Sequence, residues 1–450
     1  MYLAYSLLLT LGFLVLLPHF LFQALTHGKY VAGLRQRLGS LPVNEASKPV
    51  IWLHCVSVGE TQAARPLVEK LKATFPQHSL VVSTITMTGQ KLARDLFKNE
   101  ASDVFYFPLD WRWSVRRALR TINPTAVLIM ETELWPNFLR ECEKRRIPVA
   151  LVNGRISKQS YRRYSLIRVF FSRMLSSLTM AVMQSDADGE RIASLGLSPE
   201  KLFVSGNLKF DSRPASTSQD KTEEMRARFS FQNGVALVLA ASTHAPEEKI
   251  IVEAFRELRK TRSVRLLIAP RHPERFQEVA SLLQDSGLTW ARRTAAPGPN
   301  DANADIVLLD TIGELPATYP LADIVFVGGS IVERGGHNVL EPGSVGACVV
   351  TGAHTDNFHA IVTLLNQADA LVQLRALTGN EMSSELAGVF GGLLDQPTRR
   401  KELGERARQL VLDNQGATDR TIQLIQPLLL ERHVESRPLN SALATDVRIP

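Results

Sequence analysis

Acids and fixed cations gather directly after the most apolar stretches of the chain. The run VIWLHCVSV (residues 50–58) leads into Gly59-Glu60, and AVLIM leads into Glu131-Thr132-Glu133-Leu134-Trp135. Asn153-Gly154-Arg155 and Gly206-Asn207-Leu208-Lys209 follow later runs. The second half offers Ser242-Thr243-His244, Pro270-Arg271-His272-Pro273, Asp310-Thr311-Ile312-Gly313-Glu314 and a glycine-rich stretch from Gly328 to Glu341. A carboxylate held at a strand-to-helix turn can take a proton from a hydroxyl, which makes Glu60 a candidate general base. Its competing reading is capping, because acids are common in the first turn of a helix. Glu131 and Glu133 stand two apart at a strand end, where a turn can bring either inward. Lys209 and Arg271 suit an anionic leaving group or a carboxylate, with plain surface solvation as the alternative.

The stretch GGSIVERGGHNVLEP (residues 328–342) has two glycine pairs, then Asn338 and Glu341 at the expected start of a helix. Glycines let backbone come close to a ligand, and free N–H groups at a helix start favour phosphate or carboxylate. A nucleotide fits there, with Glu341 accepting from sugar hydroxyls; tight turns alone are the other account of the glycines. No GxGxxG follows the first strand and no GxxxxGK[ST] occurs, so dinucleotide and P-loop readings are unsupported. Asp186-Ala187-Asp188 imitates a metal-binding D-x-D, but it precedes the helical pattern GERIASLG and reads as an N-cap. His244 with Glu247 and Glu248 imitates half a metal site, without a second histidine pair at ligand spacing; a capping box with Ser or Thr is simpler. We expect neither a metal site nor a cofactor.

These residues need elements to hold them. The apolar run at 50–58 followed by a helical pattern reads as strand, turn and helix. The alternation continues through LVVSTI, VFYFPL, AVLIM, VALVN and MAVMQ, pauses at the polar stretch SRPASTSQDKTEE (212–224), and resumes through VALVLAAS, VRLLIAP, DIVLLD, DIVFVGG and CVVTG. The pattern predicts an α/β protein with two parallel-sheet domains, 29–211 and 225–432, joined by a linker at 212–224, with a tail at 433–450. Residues 292–305 read as a loop. In such sheets ligands sit beyond the carboxyl ends of strands, where the residues above fall.

The 450 residues allow for about two or three folded units at roughly 150 each. With 45% hydrophobic and 22% charged residues the composition is globular, and a net charge of +7 favours an anionic partner. Cys55, Cys142 and Cys348 are few, odd in number and far apart, which predicts no disulfide framework. Tyr2–Leu25 spans 24 residues without Asp, Glu, Lys or Arg. As a helix it would reach about 36 Å, enough to cross a bilayer core. No basic stretch precedes it and no clear cleavage site follows, so residues 1–28 read as an uncleaved membrane anchor. Lys29, Arg35 and Arg37 then place the remainder on the cytoplasmic side, while Pro18 and His19 leave a shallow insertion open. Residues 140–173 carry Arg140, Lys144, Arg145, Arg146, Arg155, Lys158, Arg162, Arg163, Arg168 and Arg173 against Glu141 and Glu143, an excess of eight positive charges suited to an anionic membrane surface. Few aromatics interleave them, so no nucleic acid partner is expected.

The segments WLHCVSVGET, METELWPN, NGRIS, GNLKFD, STHAPEE, PRHPER, DTIGEL and VGGSIVERGGHNVLEP, in that order over residues 50–345, resemble the 3-deoxy-D-manno-octulosonic acid (Kdo) transferases of bacterial lipid A synthesis. The resemblance implies a GT-B fold, two Rossmann-like domains facing a central cleft, with CMP-Kdo as donor and a lipid A precursor, lipid IVA, as acceptor at the cytoplasmic face of the inner membrane. Carried over by position, the general base falls on Glu60, and Glu131 and Lys209 fall on residues that stabilise the transition state. CMP contacts fall on Pro270 and Arg271, on Ile312, Gly313 and Glu314, and on Asn338, Val339, Leu340 and Glu341. The sequence departs from the family pattern at Val339, where proline is expected, and at Pro342 and Gly343, where alanines are usual. A single direct displacement implies inversion at the anomeric carbon. A glycosyltransferase with another nucleotide-sugar donor and a noncatalytic lipid- or nucleotide-binding scaffold remain the alternatives.

Overall fold

The computed structural model describes residues 2–27, 33–41, 48–212, 219–231 and 234–430. They divide into two compact units: one holds the described residues up to Ser212 and from Gly416 onward, the other those from Arg213 to Gln415.

The first unit contains β1 (Val50–His54), β2 (Ser79–Thr84), β3 (Asp103–Tyr106), β4 (Ala126–Met130), β5 (Val149–Gly154), β6 (Met180–Met183) and β7 (Leu202–Val204). They pair in parallel in the order β3-β2-β1-β4-β5-β6-β7. Every residue of β1, β2, β4, β5 and β6 is buried, which is why these strands read as unbroken apolar runs rather than alternating ones. Trp52 of β1 meets Phe105 and Phe138 edge-on, with ring centroids 5.3 and 5.2 Å away, and its indole N–H donates to Ser83 Oγ at 2.7 Å. Strand order reverses between β1 and β4, so the chain leaving their carboxyl ends, at Cys55 and Glu131, flanks the switch point where such folds bind ligands.

The second unit contains β8 (Ala236–Thr243), β9 (Val264–Pro270), β10 (Trp290–Arg292), β11 (Ile306–Leu308), β12 (Ile324–Val327), β13 (Cys348–Thr351) and β14 (Val372–Gln373). They too are parallel, in the order β10-β11-β9-β8-β12-β13-β14. The switch point here lies between β8 and β12, which places the segments after Thr243 and Val327 side by side.

Several boundaries differ from the sequence reading. The first strand stops at His54, because Ser57 caps a new helix (Val58–Ala63) and accepts the Glu60 N–H. The edge strands β7, β10 and β14 were not expected. Of the expected linker 212–224, residues 213–218 lie outside the described residues, and 219–224 belong to the helix Gln219–Phe229. That helix buries only Thr222, Met225 and Phe229, too few apolar positions to stand out in a charged segment. The expected second domain, 225–432, ends early: the helix Ala417–Leu430 returns to the first unit. Its Ile422, Ile425 and Leu429 share a core with Leu53, Leu67, Leu71 and Leu208. Residues 431–450, including the expected tail, lie outside the described residues. Cys55, Cys142 and Cys348 are separate, buried thiols.

The expected anchor forms a helix, Tyr2–His27, whose stretch Tyr2–His19 has a mean hydropathy of 1.7 and is long and apolar enough to cross a membrane. One stripe of it packs on the rest of the first unit. The Arg140 guanidinium lies 4.6 Å from the Tyr2 ring, Asn137 Nδ2 donates to Ser6 Oγ at 3.1 Å, and Phe13 meets Trp111 edge-on at 4.9 Å. Beside these contacts the buried Asp110 accepts the backbone N–H groups of Asn137 and Phe138 at 3.0 and 2.8 Å, satisfying the start of the helix Pro136–Lys144.

Ile425 is 0% exposed, so Ile425→Ala removes fully buried apolar groups from this core. The expected cost is about 2–5 kcal/mol. Urea unfolding followed by tryptophan fluorescence should show it, since Trp52, Trp111, Trp113 and Trp135 all report on the first unit. An unchanged midpoint would place the terminal helix outside that core.

Candidate functional site

In the first unit the turn after β1 builds an acid site. Ser57 caps the helix that follows, and Glu60, in its first turn, folds back so that Oε2 accepts the Val56 N–H at 2.8 Å and Oε1 accepts the Ser57 hydroxyl at 3.2 Å. The capping reading and the reactive reading therefore describe one carboxyl group. Glu60 is only 6% exposed. Burial pushes its pKa up to about 8; the Val56 N–H opposes this, and the charges of Glu131 and Glu133 add to it. Glu133 is also raised, first by burial and then by Glu131, and the Cys55 thiol is raised by burial, Glu60 and Glu131. Lys209 completes the group: burial lowers its pKa, Glu131 and Glu60 pull it back up, and Arg155 opposes them.

Backbone geometry brings these side chains together. Glu131 has φ +53° and Asn153 has φ +54°, both in the left-handed region that residues other than glycine rarely enter. The Glu131 N–H still donates to Val152 C=O at 3.0 Å, so the chain stays tied to β5 while it turns away. The strand thus ends at Met130 and does not run on towards Trp135. Such backbone outliers cost about 1–3 kcal/mol each and cluster at functional sites.

The second unit builds a different surroundings at its switch point. Glu247 is 0% exposed and occupies the backbone nest after β12: its Oε2 accepts the N–H of Gly329 at 2.7 Å and of His244 at 2.9 Å, and its Oε1 accepts those of Ser330 and Ile331 at 3.0 Å each. Burial raises its pKa and these four N–H groups oppose the rise. Gly328 is required here, because a Cβ would come within 2.8 Å of Ser242 O and Thr243 Cα. Beside the nest, His244 Nε2 and His337 Nε2 are hydrogen-bonded at 2.8 Å, with His272 edge-on to His244 at 5.1 Å. A cavity of about 350 Å³ is lined by His244, Ala245, His272, Arg275, Arg334 and His337. Burial holds His244 down to about 4 and His337 down to about 3, with His272 and Arg271 respectively the next causes, so the pair is uncharged near neutrality.

The expected nucleotide contacts follow three different strands of this unit, β9, β11 and β12. Pro270 ends β9, and Arg271 is exposed just beyond it, with its N–H tied to Thr243 C=O at 3.0 Å. Ile312 is 80% exposed and Gly313 has φ +82°, leaving an open apolar ledge. The Glu314 carboxylate is committed elsewhere: it pairs with Arg293 at 3.0 Å and accepts the Thr311 hydroxyl at 2.7 Å. Although burial raises Glu314, those partners outweigh it and the pKa falls. Val339 and Leu340 are buried; Asn338 Oδ1 accepts the Leu340 N–H at 3.0 Å, and Asn338 Nδ2 and the Tyr319 hydroxyl donate to Glu341 at 3.1 and 3.3 Å. Burial raises Glu341, and Asn338, Tyr319 and Arg271 oppose it.

Two side readings change. Ser185, not Asp186, caps the helix at 186–194, and Asp188 accepts the Ile156 N–H at 2.9 Å and pairs with Arg191 at 3.1 Å. The helix Glu247–Arg259 starts at Pro246, with no Ser or Thr cap, although Glu248 does accept the Thr243 hydroxyl at 2.8 Å. Sequence reasoning missed Glu247 as the filler of the glycine nest and His337 as the partner of His244, because both contacts join segments more than 80 residues apart. Among the described residues no group of three or more His, Cys, Asp or Glu is disposed to hold a metal ion.

Comparison with known proteins identifies the family and the fold. Residues 32–212 match the family model described as 3-deoxy-D-manno-octulosonic-acid transferase. The 3-deoxy-D-manno-octulosonic acid transferase of Haemophilus influenzae is 36% identical over 85% of this chain and 88% of its own length. That of Bordetella pertussis is 32% identical over 84% of this chain and 87% of its own. A solved glycosyltransferase from Rickettsia africae, 15% identical, covers 86% of this chain and 100% of its own with a TM-score of 0.56, a likeness of fold. With two seven-stranded parallel sheets of the GT-B type and relatives matched over most of their length, this chain belongs to the 3-deoxy-D-manno-octulosonic acid transferase family of glycosyltransferases.

Proposed function

We propose that the protein transfers Kdo from CMP-Kdo to a lipid A precursor, lipid IVA, with inversion at the anomeric carbon, and that Glu60 is the base. The observation that carries this reading is the buried Glu60 carboxyl, raised to about 8 beside Glu131, Glu133 and Lys209 at the switch point of the first sheet. A sugar hydroxyl is a very weak acid, so its attack needs a base whose own proton affinity is high, and a desolvated carboxylate supplies one. In the transfer the acceptor hydroxyl gives its proton to Glu60. Its oxygen bonds to the anomeric carbon, and the bond from that carbon to the phosphate oxygen breaks. CMP leaves with the electron pair. Glu131 faces the positive charge that develops on the sugar, and Lys209 the negative charge that develops on the leaving side.

Donor recognition falls to the second unit. Arg271 offers an exposed guanidinium for the single phosphate of CMP, Ile312 and Gly313 an open ledge for the base, and Asn338 with Glu341 hydrogen-bonding groups for the ribose. Pro270, Val339 and Leu340 shape the backbone around them, and Glu314 acts through its backbone, since its side chain is held by Arg293. The acceptor lies in an anionic bilayer surface, the cytoplasmic face of the bacterial inner membrane, reached through the helix Tyr2–His27 and the basic residues between Arg140 and Arg173.

Release of CMP should require both CMP-Kdo and lipid IVA, and Glu60→Ala should lower turnover on the order of 10²–10⁴-fold while the circular dichroism spectrum is retained. Persistent turnover in that variant would remove Glu60 as base, and equal turnover with other nucleotide sugars would remove CMP-Kdo as the specific donor.

The pH dependence has a defined sign. Glu60 serves as a base only when ionised, so kcat/KM should rise with pH, reach half its maximum near pH 8 and level off above that, and this limb should be absent from the residual activity of Glu60→Gln. A wild-type rate that is flat from pH 6 to 8 would contradict the raised value. Stability should move the other way. The folded carboxyl holds its proton up to about 8 while an unfolded glutamate releases it near 4.5, so stability is lost as pH rises through that window. Urea midpoints at pH 6 and pH 9 should differ less in Glu60→Gln than in the wild type.

A further inference from the structure

Lys209 stands in a single turn of 3-10 helix, Leu208–Asp211, that is held from both ends. On the upstream side, Asn207 Oδ1 accepts the Lys209 N–H, Asn207 Nδ2 donates to Gln184 Oε1, and Gln184 Nε2 donates to Asn153 C=O, each at 3.0 Å. Asn153 Oδ1 closes the circuit by accepting the Leu208 N–H, also at 3.0 Å. Asn153 is fully buried at the end of β5, so this clasp is fixed to the sheet.

On the downstream side the partner is the terminal helix. Asp211 Oδ1 accepts the Gly416 N–H at 2.7 Å and Oδ2 accepts the Thr418 N–H at 2.5 Å. These are opening amide groups of the helix Ala417–Leu430, which have no partner inside the helix and whose dipole favours a carboxylate. The same helix closes over the turn. Leu208 is buried in a core with Ala417, Ile422 and Ile425, Arg420 Nε donates to Ser205 C=O at 2.7 Å, and the Thr421 hydroxyl donates to Ser205 Oγ at 2.9 Å. Gly206, at φ +95°, leaves the room for this approach: a Cβ there would lie 3.1 Å from Arg420 Nη2 and 3.4 Å from Ala417 Cβ.

The chain leaves the first unit after Ser212 and re-enters it at Gly416. We infer that Asp211 is a positioning residue for Lys209, bonding the turn that carries the lysine to the point where the chain returns and so fixing the lysine's reach towards Glu131 and Glu60. The inference rests on the reading of Lys209 as a participant in the transfer. The Asp211 carboxylate is occupied by backbone N–H groups and acts only through the turn. A lysine is a point charge on a flexible stem, so its backbone must be placed closely for the charge to meet the reacting atoms.

The test is a double-mutant cycle in the full-length enzyme, with CMP-Kdo and lipid IVA as substrates. Asp211→Ala should lower kcat on the order of 10- to 100-fold with the KM for CMP-Kdo unchanged, and Asp211→Asn, which keeps one acceptor oxygen, should recover part of the loss. The double variant Lys209→Ala/Asp211→Ala should be no slower than Lys209→Ala alone, since removing the lysine removes what the aspartate positions. A wild-type kcat for Asp211→Ala, or a double variant whose loss is the product of the two single losses, would overturn the inference while leaving Lys209 in the reaction. Full activity in Lys209→Ala would instead overturn the reading beneath it. If Asp211→Ala does not fold, Asn207→Ala, which removes the bond from the other end of the turn, enters the same cycle with the same criteria.

Discussion

The Glu60 carboxyl group is kept out of water beside two other acids, and the arrangement of the first unit follows from that constraint. Three carboxylates ionised together in a dry site repel one another, so at least one holds its proton to a higher pH. The unit meets this with one N–H, from Val56, one hydroxyl, from Ser57, and the ammonium of Lys209 nearby. Each of these depends on backbone geometry: a helix starting at Ser57, a left-handed Glu131 that ends β4, and a turn at Lys209 clasped between β5 and the terminal helix. Side chains that would relax apart in solution are held together by strands whose own burial is complete.

The second unit shows the same residue type in the opposite condition. Glu247 is as deeply buried as Glu60, yet four backbone N–H groups surround it, and its function is to fasten β12 to the start of the helix Glu247–Arg259. Burial raises both carboxyls, but Glu247 has four backbone N–H donors to oppose the rise, whereas Glu60 has one N–H and one hydroxyl, and like-charged neighbours add to it. Burial alone does not separate the two. The number and kind of partners does.

Much of the architecture was legible because parallel strands covered on both faces appear as continuous apolar runs, and eleven of the fourteen strands lie on such runs. The other three, β7, β10 and β14, have two or three residues each with no fully buried position, so no run marks them. The helix Gln219–Phe229 was lost in its charge. The terminal helix was legible as a helix but not as a member of the first unit, because its partners Leu53, Leu67 and Leu208 lie more than 200 residues earlier. At the site the pattern was the same. Glu60, Glu131, Lys209 and Arg271 stood out because each lies within three residues of the end of an apolar run or of a glycine that follows one, whereas the partners of Glu314, Glu247 and His337 depend on how distant segments meet.

The glycine-rich run has two parts with different chemistry. In the first part, Glu247 accepts the N–H groups of Gly329, Ser330 and Ile331 and fills the nest they form. A carboxylate and a phosphate cannot share those donors without severe repulsion. The glycines serve geometry instead: Gly328 lets β12 pass within contact of Ser242 and Thr243, and the loop that follows returns His337 to His244. In the proposed reading the end of the run, Asn338 to Glu341, meets the nucleotide by hydrogen bonds, and side-chain cations such as Arg271 meet its phosphate. One phosphate with two free oxygens is within the capacity of such cations, whereas a diphosphate usually draws on a backbone nest of the kind that is filled here.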